Sequence, residues 1–206
     1  MMFDMKKPPD TETASTEVVT VLRERSMFEQ IVFARSELSG REKGHHVLKN
    51  YVISGPDADT LQPEQFNFMA GVDGLCYAMP MSQGEAAPHP EKRDGWLVLF
   101  VAPENSVGTA VLRPVGWYEE ACFAESYQHR PEPELQQYLY IVSTQAKSAY
   151  VIPGEKRASF PVIASYHFTR RWTYARSPSH SSKWRERLAE LAEQIVSRKS
   201  ECIRIG

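Results

Sequence analysis

The sequence predicts an α+β domain in which a small, curved, mixed or antiparallel sheet is followed by a C-terminal helix. Strand-forming apolar segments fill the middle of the chain, and glycines and prolines separate them. A single amphipathic segment with helical spacing comes after them. Strands followed by a helix, rather than alternating with helices, are typical of the α+β class.

The 206 residues suffice for one domain of ordinary size with its own core. Residues 1–25 are polar, with a proline pair and a Thr/Ser/Glu run, and are predicted to form a flexible N-terminal tail because they cannot bury enough apolar area. Residues 26–200 are expected to form the single domain, including the helix. Residues 201–206 are expected to be a short tail.

The first half of the sheet is predicted from three segments. Met27–Ser36 is rich in β-branched and aromatic residues and predicts the first strand. Phe66–Met81 predicts a turn at Asp73-Gly74 that leads into a short strand. "WLVLFVAP" (Trp96–Pro103) is a continuous apolar run too short for a typical helix, so it predicts a buried central strand.

The next segment, Thr109–Phe123, returns as a strand in which Pro114 and Gly116 predict a bulge or bend. Gln136–Gln145 and Ser148–Pro153 predict two more strands.

The helix is predicted over residues 181–199, "SSKWRERLAELAEQIVSRK". Ser181 or Ser182 can cap its start. Spacings of four, three and four residues place its apolar side chains on one stripe, which consists of Trp184, Leu188, Leu191 and Ile195.

Composition limits the function. A formal net charge of −2 argues against a protein that coats nucleic acid nonspecifically, although it permits a local basic face. The three cysteines are far apart and predict reduced thiols. No apolar run is long enough to span a membrane and no secretory signal is visible, so we expect a cytoplasmic protein without a membrane partner.

Catalytic and cofactor motifs are missing from the sequence. It has no phosphate-binding glycine loop, no zinc-protease helix motif and no nucleophile elbow. No acid-x-Lys unit follows Asp57, and the six histidines form no HNH-like cluster. We therefore expect a protein that is not an enzyme and that has no cofactor and no metal site, although a triad assembled from distant residues leaves no sequence motif.

Aromatic residues beside basic ones are the remaining signal. Trp117 and Tyr118 are adjacent in "VGWYEEACF", and Trp172 lies beside Arg170 and Arg171 in "HFTRRWTYARS". Such sets suit nucleic acid, because bases stack on rings and arginines hold phosphates; the alternative is that the rings fill the core. Neighbouring strand residues point to opposite faces. We expect one ring of the adjacent pair in the core and the other, Trp117, at a concave site.

Five segments resemble a known bacterial module in their order and spacing. They are "FNFMAGVDGLCYAMPM", "DGWLVLFVAP", "RPVGWYEEACF", "AYVIPGEKRASFPV" and "WTYARSP", and the likeness covers roughly residues 27–180. The module often precedes HNH nuclease domains in restriction endonucleases. It looks like a member of the PUA-like group, akin to EVE and YTH domains, which are small barrels that hold a modified or flipped base in an aromatic pocket. VGWY is its most specific piece.

The chain departs from the module at three points. Glu120 replaces the usual Asn of VGWY-x-Asn-Ala, Ala78 replaces the Gly after Cys-Tyr, and the HNH nuclease has no counterpart. The resemblance therefore implies a barrel-like PUA-like fold and a reader that recognises nucleic acid for a separately encoded nuclease or effector.

The function so implied is noncatalytic binding of nucleic acid, DNA with a modified base in preference to RNA, in a restriction or phage-defence system. The alternatives are an RNA-binding PUA-like protein, a protein-interaction subunit of a defence complex, and an enzyme with an unrecognised site. Side chains that could bond the base edge are Asn67, Asp73, Arg157 and Ser165. The full set of expected nucleic-acid-binding residues is Asn67, Phe68, Asp73, Tyr77, Trp117, Tyr118, Arg157, Arg170, Arg171 and Trp172.

Overall fold

A computed structural model describes residues 29–35, 63–79, 90–103, 111–164 and 172–206. These residues form a mixed sheet and one main helix, α1 (Ser182–Val196), which confirms the predicted α+β class. The described strands are β1 (Ile31–Arg35), β2 (Leu75–Ala78), β3 (Trp96–Pro103), β4 (Val111–His129), β5 (Leu139–Gln145), β6 (Ala149–Val151), β7 (Ile163–Ala164), β8 (Trp172–Tyr174) and β9 (Ile203–Arg204).

The main path through the sheet is β2-β5-β4-β3-β1-β8, and β6 and β7 also pair with β4. β1 and β3 are parallel, with Ile31 opposite Leu97, and the other pairs are antiparallel. Within the described ranges no pairing joins β8 to β2, so the path is open at both ends. The sheet is therefore mixed, which is one of the two alternatives predicted from the sequence.

Side chains alternate between two cores along the central strands, as a two-residue period requires. On β3, Val98 and Phe100 lie in one core, whereas Leu97 and Leu99 lie in the other. We call the face with Val98 and Phe100 the aromatic face, because most of the described ring contacts occur there. The opposite face is the helix-covered face, since α1 packs on it.

The helix begins where the sequence predicts. The Ser181 side chain accepts a hydrogen bond from the Trp184 N–H at 3.3 Å. The buried side chains of α1 are Leu188, Ala192, Ile195 and Val196. Trp184 and Leu191, which belong to the predicted stripe, are only partly buried at its edge.

Most strand predictions agree with the structure within a few residues, and Trp96–Pro103 agrees at both ends. The register of β3 with β4 shifts opposite Gly116 and Pro114, which confirms the predicted bulge. Residues 201–206 were expected to be a tail, but Ile203–Arg204 pairs with β6. The expected tail of residues 1–25 lies outside the described residues.

Candidate functional site

Trp117 and Tyr118 point to opposite faces of β4, as adjacent strand residues must. The expectation that one of them lines a concave site is wrong, because both are 0% exposed. Trp117 stacks on Tyr150, with ring centroids 5.1 Å apart, and its Nε1 donates to Glu119 Oε1 at 3.3 Å. The helix α1 packs over Trp117 as a second layer. This layer explains why β4 carries a large buried ring on each of its two faces.

A dense set of rings covers the aromatic face. Phe68, Phe100 and Tyr118 contact one another edge to face, with centroids 4.9–5.6 Å apart. Phe68 also lies against Gly116, where an added Cβ would come within 2.6 Å of its ring. The absence of a side chain at Gly116 is what allows this ring to pack directly on β4.

A second group of rings continues the aromatic face towards β8. Phe123 contacts both Trp96 and Trp172, and Trp96 contacts Tyr174, with centroids 5.3–5.7 Å apart. Trp172 and Tyr174 are partly exposed, while Phe123 is buried. Trp172 and Tyr174 therefore reach solvent at β8, and we call these two rings and the buried Trp96 beside them the outer rings.

Three buried side-chain donors in or beside this face have no hydrogen-bond partner among the described residues. They are Asn67 Nδ2, Tyr118 OH and Trp172 Nε1. Trp96 differs, because its Nε1 donates to the Lys92 carbonyl at 2.7 Å. An unpaired buried donor costs about 1–3 kcal/mol and is rare in native proteins. A ligand with acceptor atoms would remove that cost.

The tyrosine hydroxyls of this face remain protonated at neutral pH. Burial raises the pKa of Tyr174 to about 12. Burial raises the pKa of Tyr118 well above its ordinary value, and Cys76 adds to the effect. Both hydroxyls can therefore donate hydrogen bonds, and neither can serve as a base near pH 7.

Glu120 forms a backbone irregularity beside the buried pair. It has φ = 50°, the only positive φ of a non-glycine residue in the described ranges. Two residues of β4, Glu119 and Glu120, lie opposite Leu97 alone between the pairs Trp96–Ala121 and Val98–Tyr118. This arrangement is a β-bulge with a left-handed residue. Asn and Asp tolerate that conformation better than Glu does.

Two other predicted residues, Asp73 and Tyr77, belong to a structural turn. Asp73 accepts from the Leu75 N–H at 3.1 Å and from the Tyr77 hydroxyl. Tyr77 also lies beneath the Arg130 guanidinium, 5.5 Å from its ring centroid. These contacts give both side chains a structural role in the turn that leads into β2.

Arg157 lies apart from the outer rings. Its Nε donates to the Ile152 carbonyl at 3.1 Å, and Ile152 belongs to the helix-covered core. Burial lowers the Arg157 pKa to about 10. Arg170, Arg171 and Ser165 lie outside the described residues.

The structure thus brings together four of the predicted residues, Asn67, Phe68, Tyr118 and Trp172, on or beside the aromatic face. Sequence reasoning missed Trp96 as a site residue, because it begins a continuous apolar strand and looks like a core residue. Tyr174 follows Trp172 by two residues in "WTY", and this spacing places both rings on one face of a strand.

The described residues contain no group of three His, Cys, Asp or Glu side chains that could hold a metal ion. Among the described helices none is long and apolar enough to cross a membrane. Comparison with protein-family models, curated proteins and solved structures gives no match.

Proposed function

We propose that the protein is a noncatalytic nucleic-acid reader that binds an unstacked base at the outer rings. The observation that carries the proposal is Trp172, a partly exposed ring whose buried Nε1 has no partner among the described residues. Trp172 lies on β8, which pairs only with β1 in the described sheet. A planar ligand with an acceptor atom would stack on the Trp172 ring and accept a hydrogen bond from its N–H.

The energetics suit a nucleobase. Extruding a base from a duplex costs a few kcal/mol, and stacking on an aromatic ring returns about 1–3 kcal/mol per base. Base edges carry carbonyl and ring-nitrogen acceptors that can take the indole N–H. The unpaired donors of Tyr118 and Asn67 lie deeper, on side chains that are 0% exposed.

The finer proposal rests on the resemblance to PUA-like modules. The protein would read a modified base in DNA, in preference to RNA, within a restriction or phage-defence system. Cleavage would then be performed by a separately encoded nuclease or effector. Aromatic rings stack on the bases of DNA and RNA alike, so both nucleic acids belong in the test.

A binding panel tests the proposal. Fluorescence anisotropy should compare single- and double-stranded DNA carrying plain, methylated, hydroxymethylated and glucosylated cytosine, together with RNA of matching sequence. We expect one modified duplex to bind at least tenfold more tightly than its plain counterpart. Equal, weak binding to every nucleic acid would contradict a reader function.

Matched variants locate the site. Trp172→Phe keeps a ring but removes the N–H, so it should weaken binding about tenfold while changing stability little. Tyr118→Phe removes an unpaired buried hydroxyl, so it should leave stability unchanged or raise it and should weaken binding only if the base reaches that depth. Trp117→Phe is the control, because Trp117 lies on the other face and should affect stability alone. Loss of binding in Trp117→Phe but not in Trp172→Phe would place the site elsewhere.

A protein-interaction subunit is the second candidate function. It is favoured by the burial of both Trp117 and Tyr118 in cores and by an open groove along α1. The same binding panel distinguishes the two functions, because an interaction subunit would not discriminate among the nucleic acids.

A further inference from the structure

A groove of about 690 Å³ runs between the segment 161–163 and the outer side of α1. Val162, at its rim, is 52% exposed, one of the few large apolar side chains so exposed in the described ranges. Trp184 and Leu191 are partly exposed in its wall, and Leu188 is buried beneath them. The groove is thus apolar along its middle.

Charged side chains flank the apolar part, and their balance changes along the helix. The first half of α1 carries three basic side chains and one acid, Lys183, Arg185, Arg187 and Glu186, whereas the second half carries only the acids Glu190 and Glu193. Arg185 is partly buried and the other five are exposed, and Lys183, Glu186, Arg187 and Glu190 line the groove itself. None of them forms a salt bridge with another described residue.

This charge order fits a second copy of the same helix. If two α1 helices lie antiparallel about a two-fold axis near Leu188–Ala189, Arg187 of each copy faces Glu190 of the other. Lys183 of each copy then lies at the acidic half of the other. A parallel arrangement would instead place like charges side by side.

We propose that the α1 groove is a homodimer interface in which two copies pack their α1 helices antiparallel. Such a two-fold interface uses the same surface on both copies and makes every contact twice. Trp184 and Leu191 of each copy would cover the apolar middle of the groove together with Val162. The proposal is independent of nucleic-acid binding, because the outer rings lie on the other side of the sheet.

Light scattering coupled to size exclusion, followed by sedimentation over a range of concentrations, tests the dimer without nucleic acid. The parent protein should associate reversibly. Arg187→Glu or Glu190→Arg alone should weaken dimerisation tenfold or more, because each places two like-charged pairs across the axis. Glu134→Arg, a charge reversal at an exposed residue away from α1, should leave the dimer intact.

Rescue separates a specific interface from general charge repulsion. An equimolar mixture of Arg187→Glu and Glu190→Arg should form a heterodimer, because both cross-axis pairs become attractive again. The double variant Arg187→Glu/Glu190→Arg should recover the homodimer, and thermal melting should show that every variant folds. A parent protein that stays monomeric at all concentrations, or single variants that are not rescued by mixing, would overturn the proposal.

Discussion

Three parts of the fold pack closely together at Gly116: β4 itself, β6 and the segment that holds Phe68. An added Cβ would lie 2.3 Å from the Tyr150 carbonyl oxygen of β6 and 2.6 Å from the Phe68 ring. The carbonyl is backbone and cannot move aside without breaking the β4–β6 pairing. Gly116→Ala should therefore destabilise the protein by about 3 kcal/mol.

Urea unfolding measures this loss, and Gly154→Ala is its control. No atom lies within 4 Å of a Cβ built at Gly154, and its φ is not positive. A Gly116→Ala variant as stable as Gly154→Ala would show that β6 does not pack against β4 as described.

Glu120 holds a left-handed backbone conformation that costs a non-glycine residue about 1–2 kcal/mol. Glu120→Gly should therefore raise the free energy of unfolding by about 1 kcal/mol. Gln128→Gly, at an exposed position of the same strand that pairs regularly with Tyr140, should lower it, because glycine weakens ordinary strands. Equal destabilisation by both changes would refute the strain at Glu120.

Arg130 is 2% exposed and connects three parts of the chain. It donates to the Phe66 and Tyr77 carbonyls at 3.2 and 2.7 Å and forms a salt bridge with Glu132 at 3.1 Å. Arg130→Met leaves the Glu132 carboxylate buried without its partner, so stability should fall by about 3–5 kcal/mol.

A double variant separates the ion pair from the carbonyl contacts. Arg130→Met/Glu132→Leu should recover part of the loss in a denaturant titration, because no isolated charge then remains buried. No recovery would show that the two backbone carbonyls account for the whole effect.

The sequence could not predict Arg130, since "HRPEPEL" is a polar, proline-containing segment that looks exposed. Its burial depends on carbonyls that lie more than 50 residues away in the chain. The opposite orientation of Trp117 and Tyr118 was predictable, because it follows from strand geometry alone. Which layer covers each ring depends on tertiary packing, so the site at Trp117 was predicted wrongly.

The N-terminus of α1 depends on a single side chain. Ser181 has an extended backbone conformation and its hydroxyl accepts from the Trp184 N–H. Ser181→Ala should cost about 1 kcal/mol of stability, because it leaves a helix N–H without that acceptor. Thermal denaturation measures the loss. Ser182→Ala, one residue into the helix, should change the midpoint little; equal effects would assign the cap to both serines.

Elements with a strong local signal could be predicted best. β3 was predicted at both ends because a continuous apolar run needs only burial on both faces. β4 was predicted to end at Phe123 but continues to His129, since its polar second part is held by pairing with β5. β9 was missed because two exposed residues become a strand only when β6 lies beside them.

Alkaline pH should weaken the whole molecule. Burial raises the pKa of Cys76 from 9.0 to about 12 and that of Tyr174 from 10.0 to about 12. Above pH 9 the unfolded chain loses these protons while the folded protein keeps them. The unfolded state then binds fewer protons, so the free energy of unfolding falls as pH rises from about 9 to 12.

Urea midpoints measured at intervals between pH 8 and about pH 11 check this expectation. Cys76→Ala removes one of the titrating groups, so its midpoints should decline less steeply than those of the parent. A parent stability that is constant over the range would contradict the burial of these groups.

At the scale of the molecule, the α+β class and the single main helix were predictable, because hydrophobic periodicity is a local property of the chain. The open strand order and the parallel β1–β3 pairing were not, since both join segments that are far apart in sequence. The outer rings likewise form only when β8 meets β1 and β3 supplies Trp96.

The helix that covers Trp117 is synthesised after β1–β8. While the ribosome is still translating residues 182–196, Leu99, Trp117 and Ile152 have no cover from α1 on the nascent chain. Translation adds about 5–20 residues per second, so this interval is short. Transiently exposed apolar surface of this kind is prone to aggregation, so we expect the yield of folded protein to depend on how soon α1 leaves the exit tunnel.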